Sequence, residues 1–156
     1  MLRRIILALP VYALSLAAQK YSGPRPSKPD VPYLVHANNL VETEAGQARE
    51  AERKDEITYV ISGAASPVRT PLASPVLLIQ TDKLSPEKLD VYRMEVRNGH
   101  REVTFSRKKN KIRSIRLSIH RLGENLYRIE VDESLENGEY SISPSGSNQV
   151  FCFAVY

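Results

Sequence analysis

The side chains able to do chemistry are few and scattered. Three histidines, His36, His100 and His120, lie far apart and show neither HxH nor HExxH spacing. Zinc chemistry needs His or Cys ligands close together with carboxylates beside them, so no metal ligand is assigned. No GxSxG elbow, phosphate-binding loop or Gly-rich dinucleotide motif occurs, and no serine sits in a recognisable nucleophile context. Carboxylates crowd one region at Glu124, Glu130, Asp132, Glu133, Glu136 and Glu139. A sugar-cleaving pair drawn from them needs a cleft and a set separation. A charged edge that keeps the sheet soluble explains them better. No catalytic or cofactor-binding residue is therefore assigned, and no cofactor is expected.

Charge asymmetry is the one feature above background. Residues 97–121 hold nine basic side chains against Glu102 alone, whereas residues 122–156 hold Arg128 against the six carboxylates above. If the two segments are neighbouring strands, much of this charge pairs across them. The run RKKNK nevertheless marks Arg107, Lys108, Lys109 and Lys111 as a basic hairpin tip, suited to an anionic envelope component or an acidic protein face. No aromatic is interleaved with it, so stacking on single-stranded nucleic acid is not expected. A second candidate contact is Arg69, central in a long proline-bearing loop, GAASPVRTPLASP, at residues 63–75.

The elements that must position these residues are strands. Ile115, Leu117 and Ile119 alternate with Arg116, Ser118 and His120, and Tyr127, Ile129 and Val131 alternate with Arg128, Glu130 and Asp132. Turn residues Asn137-Gly138 follow, then Tyr140 and Ile142, then an apolar run to Tyr156. Period-two alternation broken by turn residues is the mark of half-buried antiparallel strands. Upstream, Asn98-Gly99 predicts a hairpin and Asn38-Asn39 another. Val76-Leu77-Leu78-Ile79 predicts a strand buried on both faces. Pro86-Glu87-Lys88-Leu89 predicts one helical turn. Residues 43–56, rich in Glu, Ala, Gln and Arg, predict one short surface helix or an ordered loop. The sum is about nine strands, an all-β antiparallel sandwich of generally immunoglobulin-like shape, with a barrel as the alternative. The immunoglobulin tryptophan and cysteine pair are missing.

A chain of 156 residues predicts one domain. Its start, MLRR, then an apolar run, then SLAAQ, has the order of a secretory signal peptide, with cleavage after Ala17 or Ala18. The apolar run falls short of the ~20 residues that span a bilayer, so no transmembrane span is expected after cleavage. Losing Arg3 and Arg4 halves the net charge of +4, which removes the global argument for nucleic acid. The expected organisation is a signal peptide at residues 1–18, a Pro-rich linker at 19–32 and a β-sandwich domain at 33–156. Cys152, the one cysteine, lies between Phe151 and Phe153, which predicts a buried, unreactive thiol.

Two blocks carry a resemblance: GAASPVRTPL at residues 63–72, and NGEYS at 137–141 closing into Phe153-Ala154-Val155-Tyr156. With the signal peptide, the chain resembles exported β-sandwich proteins of Gram-negative soil bacteria, a group with no assigned chemistry. The resemblance implies export to the periplasm or beyond and an all-β fold, and transfers no site residue. The expectation is a non-catalytic binding or assembly module of the cell envelope. The alternatives are a small envelope-polymer hydrolase, and a structural envelope protein that pairs through its edge strands.

Overall fold

A computed structural model describes residues 20–108 and 112–156; the expected signal peptide, Lys109 and Lys111 lie outside them. The described chain is nearly all β. In order it forms β1 (Pro32–His36), β2 (Asn39–Glu42), β3 (Glu44–Gln47), β4 (Arg49–Arg53), β5 (Glu56–Ser62), β6 (Arg69–Thr70) and β7 (Val76–Gln80). A 3-10 turn, Pro86–Lys88, leads into β8 (Leu89–Arg97) and β9 (His100–Ser106). The chain ends with β10 (Leu117–Arg121), β11 (Leu126–Val131), β12 (Gly138–Pro144) and β13 (Gln149–Val155).

Two sheets result. The first runs β10-β11-β7-β1-β2, and the second runs β3-β13-β12-β8-β9-β5-β4, with β6 parallel to the end of β13. All other pairings are antiparallel. The sheets pack together as a sandwich and one sheet curls into a half-barrel, so the expected sandwich is present and the barrel alternative survives only as that curl. Alternation decides the layers. Leu77 and Ile79 of β7 face Val91 of β8, Ile142 of β12 and Phe151 and Phe153 of β13 in one inter-sheet core. Tyr140 and Phe153, directly opposite across β12 and β13, stack with centroids 5.6 Å apart. The Tyr140 hydroxyl donates to the Glu136 carbonyl at 2.6 Å, a corner lock found in β-sandwiches.

β7 is central and buried on both faces, as its continuous apolar run predicts: Leu77, Leu78 and Ile79 are all buried. On the outer face Leu78 lies opposite Tyr33, whose hydroxyl sits 3.1 Å from Ser27 Oγ of the proline-rich arm. The arm is also held at Asp30, whose carboxylate accepts backbone N–H groups from Asp82, Lys83 and Leu84 at 2.8–3.1 Å.

Three sequence expectations change. Residues 43–56 form β3, β4 and the start of β5 rather than a helix. Cross-strand pairing of β3 with β13 and of β4 with β5 overrides helix propensity there. The hairpin turn between β1 and β2 is Ala37-Asn38, one residue earlier than Asn38-Asn39, because His36 pairs with Asn39. The proline loop contains β6, an extra edge piece. The Asn98-Gly99 turn and the Pro86–Lys88 helical turn form where the sequence predicts them.

Candidate functional site

The curled sheet has its own interior, distinct from the inter-sheet core. Its strands alternate, so each gives one face to each side. Leu89 and Val91 of β8, Tyr140 and Ile142 of β12, and Phe151 and Phe153 of β13 face the other sheet. The intervening residues Tyr92, Met94, Val150 and Cys152 face the concave side, joined by Tyr59, Ile61, Val103 and Phe105. Along these strands the concave face divides in two.

One half is filled. Arg101 of β9 is fully buried and reaches across to Glu44 of β3, four strands away in the sheet order. Its Nη1 donates to Glu44 Oε2 at 2.6 Å and its Nη2 to Glu44 Oε1 at 2.9 Å, a bidentate pair. Its Nε donates to the Gly63 carbonyl at 3.0 Å and Nη2 also to that of Ser62 at 2.8 Å. Glu139 of β12 stands 3.8 Å from Nη1 and accepts the Ser66 backbone N–H at 2.9 Å. Hydrogen bonding from Arg101 holds the Glu44 carboxyl below its ordinary range against the opposing effect of burial. This bracket ties the sheet edge to its middle and maintains the curl. Cys152 lies in the same half, and burial pushes its thiol up to about 12 although the Arg101 charge opposes. The thiol is buried, as expected.

The other half is open. One step along the same strands lies a cavity of about 480 Å³, within the usual range for small-molecule sites. Its wall is aromatic. Phe105 meets Tyr59 edge-on at 5.7 Å and Tyr92 edge-on at 5.2 Å. Val103, Ile61 and Val150 make an apolar floor. Glu50 enters the lining from β4, directly opposite Tyr59. Asp90 enters from β8, two residues before Tyr92 on the same face. Burial raises the Tyr92 phenol above its ordinary value, and the Asp90 charge adds to this. Asp90 Oδ2 lies 2.8 Å from the Ser145 hydroxyl, in the β12–β13 turn that forms the rim. Among the described residues no Lys or Arg is in the lining.

The residues singled out from sequence lie elsewhere. Arg69, on β6, places its guanidinium 4.4 Å from the ring centre of Tyr156, a cation–π contact. Arg107 pairs with Glu52 at 3.3 Å and Lys108 with Asp55 at 2.9 Å, so these two cations tie the end of β9 to the β4–β5 hairpin. Arg69 shares no hydrogen bond or ion pair with Arg107 or Lys108. The basic and acidic segments pair only in part. β10 lies beside β11 and Arg113 reaches Glu133 at 3.5 Å, but β9 lies between β5 and β8. His36 meets the Thr70 hydroxyl at 3.0 Å and exposed His120 stands 3.9 Å from Glu130. Among the described residues no group of acids, His and Cys is arranged to hold a metal ion, and no helix is long and apolar enough to cross a membrane.

Sequence reasoning missed the cavity residues as a set. Tyr92 with Met94, and Val103 with Phe105, were legible as one face of each strand; that the curl leaves this face unfilled at one end was not. Fold and site together define an all-β sandwich domain with a one-ended cavity inside its curled sheet. Comparison with protein-family models, curated proteins and solved structures finds no match to the chain.

Proposed function

We propose that the protein is an exported, non-catalytic binding module of the bacterial cell envelope that holds a small ligand in the cavity of its curled sheet. The cavity carries this reading: an aromatic wall and apolar floor remain open at one end of a face that the Arg101 bracket closes at the other. Concave, mostly apolar sites with a few polar groups at the margin are the usual form of small-molecule pockets. Export is supported by the basic, apolar and small-residue order of residues 1–18. The RKKNK run closes no hairpin, since it joins β9 of one sheet to β10 of the other, and Arg107 and Lys108 are engaged by carboxylates, which weakens it as the main contact for an anionic envelope component.

A second reading is favoured by one observation: two carboxylates, Glu50 and Asp90, line the same cavity. A hydrolase acting on an envelope polymer would use such a pair as acid and base. Two measurements separate the readings. An environment-sensitive apolar dye should bind the full-length protein with one site at the cavity, and Ser143→Trp, which places an indole at the mouth, should remove that site. Dye binding unchanged by Ser143→Trp overturns the binding reading. Cleavage of envelope glycan or peptide fragments that disappears in both Asp90→Asn and Glu50→Gln establishes the hydrolase instead.

A further inference from the structure

We propose that the cavity takes a small organic cation, an alkylammonium head carrying an aliphatic body, with the head at the Asp90 carboxylate beside the aromatic wall and Glu50 adding negative charge from β4. The inference rests on the cavity being the binding site and names the chemistry of its guest.

Charge is the first support. Most carboxylates here are matched: Glu42 by Lys28, Glu44 by Arg101, Glu52 by Arg107, Asp55 by Lys108 and Glu136 by Arg93. Among the described residues Glu50 and Asp90 pair with no cation. Asp30, Glu56, Asp82, Glu87, Glu124 and Asp132 also pair with no cation among the described residues, but only Glu50 and Asp90 of this group line the cavity. Among the described residues no Lys or Arg lines the cavity, so an anionic guest finds hydroxyl and amide donors of Ser143, Ser147 and Asn148 but no cation to offset the two carboxylates, and a wholly apolar guest gains nothing from the acids.

The aromatic wall is the second support and is independent of the first. Ring faces carry negative electrostatic potential and attract cations, more strongly where water is partly excluded. Tyr59 and Tyr92 each stand at near-right angles to Phe105, with interplanar angles of 83° and 90°. Rings at different orientations in one wall present both faces and edges to a guest. The Val103, Ile61 and Val150 floor suits the aliphatic body. Asp90 keeps acceptor capacity beyond its contact with Ser145, so an ammonium N–H has an oxygen to reach.

The test compares three guests of equal length on the full-length protein by isothermal titration calorimetry: octylammonium, octanol and octanoate. Ser143→Trp provides the subtraction for any uptake outside the cavity. Octylammonium is expected to bind at least tenfold more tightly than octanol, with octanoate weakest. Asp90→Asn should weaken octylammonium about tenfold and leave octanol unchanged, and added salt should narrow the gap between them. Octanol binding as tightly as octylammonium, with both blocked by Ser143→Trp, overturns the cation proposal and leaves the cavity as a binding site. Octylammonium affinity unchanged in Asp90→Asn and Glu50→Gln also overturns it. No Ser143→Trp-sensitive binding of any of the three overturns the proposal and the binding reading together.

Discussion

Arg101 concentrates the cost of this fold at one side chain. A guanidinium taken wholly out of water is tolerated only because carboxylate and carbonyl partners replace its hydration. Glu44 supplies two oxygens, Ser62 and Gly63 supply carbonyls, and Glu139 stands behind them. Arg101→Met leaves Glu44 and Glu139 without the cation between them. The expected loss is about 3–5 kcal/mol, the range for breaking one side of a buried pair, read from urea unfolding. Arg101→Met combined with Glu44→Gln should cost less than the two single changes added, because the pair is coupled. A loss under about 1 kcal/mol for Arg101→Met would mean that the bracket does not hold the curl. Alternation puts Arg101 on the same face of β9 as Val103 and Phe105, but a guanidinium at the start of a strand reads as solvent-facing, and only the curl brings Glu44 within reach.

At the scale of elements, two hairpins test how backbone conformation is distributed. Ala37 in the β1–β2 turn holds φ 53°, a left-handed value that costs a residue with a Cβ about 1–2 kcal/mol. Ala37→Gly should therefore stabilise the protein by about 0.5–1 kcal/mol once the greater freedom of the unfolded glycine is subtracted. Gly99 in the β8–β9 turn holds φ 78° beside Asn98 at 48°, and a Cβ built there meets no atom within 4 Å. Gly99→Ala should lose about 1 kcal/mol through backbone strain alone. Thermal unfolding reads both changes, and shifts of the same sign would refute the pair. The Asn98-Gly99 turn was legible because its residue types match the geometry, whereas the Ala37 turn was not, since alanine carries no turn signal. The strands with apolar–polar alternation were equally legible. β3 and β4 were not, because Glu44, Ala45, Gln47, Glu50 and Glu52 favour helix locally and become strands only through partners far away in sequence. The cavity is of the same kind: Tyr59, Tyr92 and Phe105 read as core residues, and whether core space is filled depends on curvature that no local pattern encodes.

For the whole molecule, hydrogen-bonded carboxylates and buried acidic groups set a stability window in pH. Glu44 has its folded pKa lowered from 4.5, chiefly by the Arg101 hydrogen bonds. Its contribution is fully present above pH 4.5 and is lost as pH falls through the lower folded value. Asp30 acts with the same sign: burial raises its pKa, but backbone N–H groups of residues 82–84 outweigh this, and the net shift is down from 3.8. The alkaline side runs the other way. Burial raises Cys152 from 9.0 to about 12, and an acid whose pKa is raised on folding stabilises while it stays neutral. That contribution is present below pH 9 and lost between pH 9 and about 12. Tyr92 and Tyr140, raised from 10.0 chiefly by burial, add to the alkaline fall. Unfolding free energy measured in urea across pH should therefore form a plateau with losses on both sides. Each titrating group adds at most about 1.4 kcal/mol per pH unit to the slope of its arm. Glu44→Gln should flatten the acid arm and leave the alkaline one, while Cys152→Ala should do the reverse. The arms report different places, since acid releases the bracket that ties β3 to β9 and alkali charges the thiol on β13. If Glu44→Gln and Cys152→Ala flatten both arms alike, the pH dependence reflects net charge rather than these buried groups.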